Sequence, residues 1–377
     1  MQIRRQVKPI YKALASMEER AMLKDGDVVH RPFRSDLRVK TYTKGTAVTV
    51  TDVSSTDESL TVDTAKIVPF YVDDLDQLQN KWDTVNKFAD DAADRLEEFI
   101  DADFLGEVAQ ADSSVDDGDI GGTSGNAIVL STSNVLSVFA AAGKKLNNLR
   151  IGMENRFAVV SPSVHQILVE YVGGKDTSLG DSTGTNGHVG KFMGFDLYMS
   201  VNTYYTATWT PADNPTEADT VTINGVVFTF NATPSGAGSV DIGGSTAVSI
   251  DNLVAAINDS GTAGTTYIQL SDADRAALEG CVATDGTTNM TIAFEGGAEA
   301  TLAASETADP WSAEVAHMMF GQKGAIDVVV QKSPTVVFKE VPDKLGKNVL
   351  PWMLYGLKTF DEGDAQLVDV QIDGSVL

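Results

Sequence analysis

The feature that most constrains the fold is a long apolar stripe between residues 73 and 105. Nine apolar side chains recur there at steps of mostly three and four: Leu75, Leu78, Trp82, Val85, Phe88, Ala92, Leu96, Phe99 and Phe104. This spacing predicts one amphipathic helix of about eight turns, roughly 45–50 Å long. Its other face is strongly negative, because residues 73–103 hold eleven acidic and three basic side chains.

The segment 37–72, just before this helix, predicts a long β-hairpin. The apolar residues that alternate with polar ones are Leu37, Val39, Val48 and Val50 on the outgoing strand and Leu60 and Val62 on the return. Residues 54–57 have the composition of a turn. A two-stranded ribbon is marginal in water, so another surface must cover it if it is ordered.

Charge is distributed unevenly along the 377 residues. The formal net charge is −25, yet residues 1–50 hold eleven basic and five acidic side chains. A basic leader on an acidic body indicates either contact with something negative, such as another copy, or a solvated tail. The acidic total argues against a general nucleic-acid binder, because attraction to phosphates needs clustered Lys and Arg.

Residues 127–205 predict an α/β segment. The pattern gives a helix over 135–146 that Ser131 or Ser133 caps, a buried strand at 156–160, a helix that Ser163 opens, and a strand at 195–199.

Residues 206–310 differ in character, with fourteen acidic side chains and one basic one, Arg275. They predict a hairpin that turns at Asn224 and Gly225, a helix through 250–257, and strands at 267–270 and 290–294. The change of composition predicts a separate, inserted small domain.

Residues 311–377 then predict a helical turn at 315–320, strands at 325–330 and 336–341, and a closing strand pair at 352–360 and 366–372.

The sequence predicts no catalytic residue, metal ligand or cofactor. Its four histidines, His30, His165, His188 and His317, are not spaced with one another or with a cysteine as metal ligands. Cys281 is the only cysteine, which excludes an intrachain disulfide. The acidic cluster at 116–119 lacks the closing Glu of a calcium loop. Paired carboxylates on the acidic helix leave an acidic hydrolase as the enzymatic alternative.

Three groups of segments, in this order, resemble the major capsid proteins of tailed bacteriophages, which have the Hong Kong 97-like (Johnson) fold. The first group is GTAVTVTD at 45–52, LTVD at 60–63 and FYVDD at 70–74, leading into the long helix. The second is RFAVVSP at 156–162, VGKFMGF at 189–195 and SVN at 200–202. The third is FGQKGAI at 320–326 and YGLK at 355–358. Together they cover most of 37–205 and 311–377.

The resemblance implies an α+β fold with six regions. These are an N-terminal arm at 1–36, an extended β-hairpin loop at 37–72, a peripheral domain with a long spine helix at 73–130, an α/β axial domain at 131–205, a β-rich inserted domain at 206–310, and a return to the axial and peripheral domains at 311–377.

The resemblance also implies a structural protein rather than an enzyme. Its copies are expected to assemble as pentamers and hexamers into the icosahedral head that encloses double-stranded DNA. Expected partners are other copies, a separate scaffolding protein, a portal protein, a decoration protein and nonspecifically held DNA on the inner face, with no membrane. The lone cysteine and the absence of a signal peptide favour synthesis in the host bacterial cytoplasm, before incorporation into the virion. A tail-tube or decoration protein is the structural alternative.

The contacts between copies are predicted at the hairpin and the acidic helix. Basic hairpin residues would approach acidic residues of a neighbour, and apolar hairpin residues would be covered there. The predicted contact residues are Arg38, Lys40, Lys44, Val48, Val50, Leu60 and Val62 on the hairpin, and Asp90, Asp94, Glu97 and Glu98 on the helix.

Overall fold

The computed structural model describes residues 9–17, 28–34, 39–48, 50, 55–73, 84–176, 189–294, 301–305, 311–312, 314–341 and 345–374. The helices of these residues are α1 Tyr11–Leu14, α2 Thr84–Gly106, α3 Val135–Asn148, α4 Pro162–Gly173, α5 Thr246–Ile257, α6 Asp272–Ala277 and α7 Asp361–Asp364. The first strands are β1 Val28–Arg34, β2 Ser55–Thr61, β3 Thr64–Ile67, β4 Phe70–Asp73, β5 Ser113–Val115, β6 Arg156–Val160, β7 Lys191–Phe192, β8 Phe195–Met199, β9 Tyr204–Trp209 and β10 Thr220–Ile223. The others are β11 Val226–Asn231, β12 Ser239–Asp241, β13 Cys281–Asp285, β14 Met290–Phe294, β15 Leu302–Ala304, β16 Val315–Gln322, β17 Ile326–Glu340, β18 Gly346–Thr359 and β19 Leu367–Asp373.

The strands form four sheets, which makes the chain an α+β protein as predicted. β1 pairs with β2 alone, and β18 lies between β17 on one side and β3 and β4 on the other. The largest sheet has nine strands in the order β13-β14-β9-β16-β6-β8-β7, with β19 beside β16 and β5 beside β19. The fourth sheet has the order β12-β11-β10-β15.

One compact unit comprises residues 1–7, 11–97 and 324–363. It contains the β1–β2 ladder and the sheet around β18. A small apolar core joins the two, formed by Val29, Leu60, Val62, Val329 and Phe360, with Leu354 packed against it. β17 is one strand of 15 residues with irregular register around Lys332, where the sequence predicted two strands.

The ladder that precedes the long helix corrects the predicted hairpin. β1 pairs with β2 antiparallel, and the described residues 39–48 and 50 contain no strand. The predicted outgoing strand is therefore wrong, and residues 55–57 begin β2 where a turn was expected. The reason lies in burial: Val29 lies opposite Leu60 inside the small core, which fixes the register there.

The long helix is present as α2, and the predicted residues 74–83 lie outside the described residues. Ala92, Leu96 and Phe104 are buried, as the periodicity predicts. Phe88 is half exposed, with its ring centroid 6.0 Å from that of Phe70.

The second compact unit comprises residues 8–10, 98–323 and 364–377. Its core lies between α3 and the nine-stranded sheet, where the Phe139 ring contacts Phe192, Phe195 and Phe320 at centroid distances of 4.9, 6.1 and 4.9 Å. The predicted strands β6 and β8 are confirmed.

Both helices of this α/β segment are present, but their caps differ from the prediction. Ser161, not Ser163, caps α4, because its Oγ accepts a hydrogen bond from the Val164 amide at 3.3 Å. Asn134 is the residue that precedes α3, where Ser131 or Ser133 was expected.

The acidic stretch 206–310 divides between two sheets, which corrects the expectation of a separate domain. It contributes most of β9, together with β13 and β14, to the nine-stranded sheet, while β10, β11, β12 and β15 form their own. A single apolar core spans both sheets. The predicted hairpin is confirmed, with Asn224 and Gly225 at φ 50° and 80°. Residues 267–270 do not form a strand; Tyr267 makes an isolated bridge to Val240.

Two predictions for the final residues are wrong. Residues 315–320 belong to strand β16, where a helical turn was expected, because Ala316, Met318 and Phe320 alternate into the core. The predicted closing pair does not form, since β18 pairs with β17 and β19 pairs with β16 in another sheet. Apolar strands of this length carry no periodicity that identifies their partner.

Candidate subunit-contact surface

The segment between β1 and β2 presents apolar side chains that the described residues leave exposed. Val39, Tyr42, Val48 and Val50 are between 57 and 101% exposed. Single exposed apolar residues are common on proteins, but four within twelve residues are typical of an interaction surface. The exposure of Val48 and Val50 is compatible with their predicted contact role.

Leu60 and Val62 do not belong to this surface. Both are buried in the small core of the first unit, against Val29, Val329 and Phe360. They hold the ladder to the sheet of the same chain, so they are core residues and not contact residues. Their alternation with polar residues could not distinguish the two roles, because burial by the same chain and burial by another need the same pattern.

The ladder is fastened at its base by charged side chains. Arg31 lies 3.4 Å from the Asp327 carboxylate and 3.5 Å from that of Glu362, and its guanidinium lies 5.2 Å from the Phe360 ring centroid. Lys358 reaches the same ring at 5.4 Å and donates a hydrogen bond to the Ser59 carbonyl at 2.9 Å. The two strands on either side of the exposed segment are therefore anchored to the rest of the first unit.

One carboxyl pair at this base is formed by Glu58 of β2 and Asp361 of α7. Burial and the neighbouring Asp361 carboxyl both raise the pKa of Glu58. Neighbouring carboxylates repel each other when both are ionised, so a shared proton favours the contact between β2 and α7.

The charged residues predicted to contact a neighbouring copy differ in their exposure within a single chain. Lys40 and Lys44 are exposed, Arg38 lies outside the described residues, and Asp90 and Asp94 are exposed on α2. Glu97 and Glu98 are partly buried, and Glu97 accepts a hydrogen bond from Lys12 of its own chain at 2.7 Å.

The described part of the basic leader lies against its own chain. The Ile10 amide donates a hydrogen bond to the buried Asp101 carboxylate at 2.7 Å. In the first unit, the Ser16 amide donates to the Ile326 carbonyl at 2.9 Å. A solvated tail is therefore the wrong description of residues 10–16.

Sequence reasoning missed one exposed apolar sheet face in the first unit. In the ladders around β18, Trp352 lies opposite Ile67 on one side and Thr335 on the other, and Leu350 lies opposite Val337. Paired residues project to the same face of an antiparallel sheet. Ile67 and Val337 are exposed, while Trp352 and Leu350 are partly buried, so this face carries a partly covered apolar row. β18 is apolar at most positions, so the sequence alone does not show which face is covered.

The described residues offer little for catalysis. No group of three or more His, Cys, Asp or Glu among them is arranged to hold a metal ion. Burial raises the pKa of the Cys281 thiol to about 12, which leaves it protonated and unreactive at neutral pH. No helix in the same residues is long and apolar enough to cross a membrane.

His317 has two side-chain partners. Its Nδ1 lies 2.8 Å from the Asp369 carboxylate and its Nε2 lies 2.8 Å from the Thr206 hydroxyl. These partners belong to β19 and β9, which flank β16, so the imidazole ties three neighbouring strands together. His165 lies on α4, and His188 lies outside the described residues.

Comparison with known proteins adds a family and a fold. A family model described as phage capsid protein matches residues 55–237. No curated protein matches the chain.

Several solved structures are similar over nearly the whole chain. A chain from Mycobacterium phage Che8 has a TM-score of 0.58 at 16% identity, covering 98% of this chain and 93% of its own. The mature capsid of bacteriophage PhiM1 has a TM-score of 0.51 at 12% identity, with coverages of 99 and 90%. The capsid of cyanophage P-SCSP1u has a TM-score of 0.50 at 11% identity, with coverages of 92 and 84%. Identities this low show a shared fold.

Proposed function

Because this chain is a phage capsid protein with the Hong Kong 97-like fold, a subunit of the phage head shell, we propose that its copies assemble as pentamers and hexamers through the segment between β1 and β2. The observation that carries this proposal is the set of four uncovered apolar side chains at 39–50 on an anchored ladder. A second copy supplies the cover that a single copy lacks.

Apolar contact contributes more to this proposed interface than charge. Fully covering one Val-sized side chain contributes about 1.5–3 kcal/mol. An exposed ion pair contributes only about 0–1 kcal/mol, and salt screens it. Lys40 and Lys44, facing Asp90 and Asp94 of a neighbour, would therefore orient the segment more than they would hold it.

The experiment compares two matched pairs of substitutions. Val39→Ser with Val50→Ser removes two uncovered side chains from the segment, and Val227→Ser with Val248→Ser removes two exposed ones elsewhere. Neither pair is in the core, so melting temperatures should stay close to that of the unaltered chain. We expect the first pair to lower the yield of closed shells at least tenfold, by negative-stain microscopy and sedimentation, and the second pair to leave it unchanged.

Two outcomes would contradict the proposal at different levels. Normal shells from the Val39/Val50 variant would remove the contact role of the segment while leaving the shell function intact. Tubes instead of closed shells from the unaltered chain would favour the tail-tube alternative.

The remaining partners follow from the family resemblance. They are a separate scaffolding protein, a portal protein, a decoration protein and DNA on the inner face. The sequence contains no base-reading element, so we propose that contact with packaged DNA is nonspecific. We further propose a purely structural role without catalysis, and synthesis in the host cytoplasm before incorporation into the virion.

A further inference from the structure

One end of the nine-stranded sheet is closed by a side chain. β13 is its terminal strand and pairs only with β14 among the strands of the described residues. A terminal strand normally presents free N–H and C=O groups, which invite another strand to pair. Val282 of β13 is also about half exposed, which adds apolar surface to such an edge.

The Asn258 amide occupies the place of a pairing strand. Its Nδ2 donates a hydrogen bond to the Ala283 carbonyl at 2.7 Å, and its Oδ1 accepts one from the Ala283 amide at 2.9 Å. A residue of an added antiparallel strand would make the same two hydrogen bonds. Both central backbone groups on the outer side of β13 are therefore already satisfied.

The surrounding residues hold Asn258 in this position. Asn258 is the C-cap residue of α5, and its backbone N–H donates a hydrogen bond to the Val254 carbonyl at 3.0 Å. Arg275 donates to the carbonyls of Ile257 at 2.6 Å and Ala256 at 3.2 Å, which satisfies the last turn of the helix. The cap of α5 and the edge of β13 are thus fixed together.

The two ends of the edge are also occupied. The Cys281 amide donates to the Leu278 carbonyl at 3.0 Å. At the other end, the Asp285 carboxylate lies beside that of Asp251, and burial together with Asp285 raises the pKa of Asp251. Like charges at this end disfavour an incoming strand.

We propose that the side chain of Asn258 blocks strand pairing at this edge by occupying the backbone groups of Ala283. It thereby prevents β13 from pairing with a strand of a second copy, so that copies join through other surfaces. This rests on the proposed function only for the nature of the partner, a second copy of the chain. Such blocking is useful in a protein whose copies reach a high local concentration during assembly and must still form ordered contacts.

The test uses the full chain and a matched control. Asn258→Ala removes both hydrogen bonds to Ala283. Asn134→Ala removes an equivalent pair near α3, where the amide donates to the Val129 carbonyl at 2.9 Å and accepts from the Ser131 amide at 2.8 Å. Both variants lose a similar contribution to stability, but only the first opens a sheet edge.

We expect Asn258→Ala to give at least tenfold more irregular, thioflavin-binding aggregate, increasing with concentration and separated from closed shells by negative-stain microscopy. The Ala283 amide should exchange with deuterium at least tenfold faster. Adding Val282→Lys, which places a charge on the opened edge, should restore solubility. Asn134→Ala should aggregate no more than the unaltered chain.

Two results would contradict the proposed role of Asn258. One is aggregation of Asn258→Ala no greater than that of Asn134→Ala, and the other is an unchanged exchange rate at Ala283. Loss of closed shells in the Val39/Val50 variant, or their retention, does not bear on either result, so the two proposals fail separately.

Discussion

Two terminal strands, β13 in the nine-stranded sheet and β17 in the sheet around β18, are protected in different ways. On β13 a side chain, Asn258, satisfies both central backbone groups. On β17 the covering residue is Ser16, whose amide donates to the Ile326 carbonyl and whose carbonyl accepts from the Val328 amide at 3.0 Å. From residue 335 to 340, β17 pairs only with β18 in the described part of the chain, and Phe338 is about half exposed.

The difference shows that the backbone groups of two sheet edges in one chain are satisfied by different means. The edge in the nine-stranded sheet is closed by a fixed amide of the same core. The β17 edge, in the unit that carries the exposed segment, is paired at its start with Ser16 of the arm. Two surfaces with exposed apolar side chains, residues 39–48 with Val50 and the outer half of β17, belong to this same unit.

The largest expected effect comes from removing the core that supports the open edge. Phe360→Ala should cost about 3–5 kcal/mol of unfolding free energy, because the ring is fully buried and lies near Arg31 and Lys358. Phe338→Ala, on the exposed part of β17, should change it by less than about 0.5 kcal/mol. Chemical denaturation measures both, and equal losses would mean that the outer half of β17 is as well packed as its base.

An intermediate effect is expected from opening the covered part of β17. Ser16→Pro removes the N–H that bonds to Ile326 and should cost about 1–3 kcal/mol, with faster deuterium exchange at the Val328 amide. Ser16→Ala keeps the N–H and serves as the control, with exchange unchanged. Slow exchange at Val328 in the proline variant would show that the arm does not protect this edge.

The smallest effect compares the carboxyl pairs of the two units. The raised pKa values of Glu58 and Asp251 mean that each shared proton stabilises the fold at acidic pH, below the ordinary carboxyl pKa. That stabilisation is lost as pH rises through the raised pKa. Glu58→Gln and Asp251→Asn should therefore raise the melting temperature slightly at pH 7, within about 0.5 kcal/mol because solvent screens these groups, and not at pH 3. A lower melting temperature of either variant at pH 7 would contradict the repulsion between the paired carboxylates.

Local chemistry was enough to predict several elements. The turn at Asn224 and Gly225 follows from the need for positive φ at both positions, and strand β6 follows from a short, wholly apolar run before Ser161. The helix α2 follows from its period. In each case the information lies within one stretch of sequence.

Tertiary partners decided what the sequence could not predict. β1 forms because Val29 finds Leu60 and Phe360, and nothing in 28–34 identifies those partners. Asn258 and Ala283 are 25 residues apart, so the closure of the β13 edge becomes visible only when α5 and β13 are placed side by side. The predicted contact residues lie in two different environments for the same reason. The core of the chain buries Leu60 and Val62, whereas Val48 and Val50 are exposed.

The pairing of early strands with late ones has a consequence for synthesis. β3 pairs with β18, some 285 residues further along, and β5 pairs with β19. Contacts of such high sequence separation form slowly and only after the later partner has left the ribosome. Both units therefore mature only after β18 and β19 have been synthesised, and a polypeptide terminated before them lacks the finished surfaces by which it would join its neighbours.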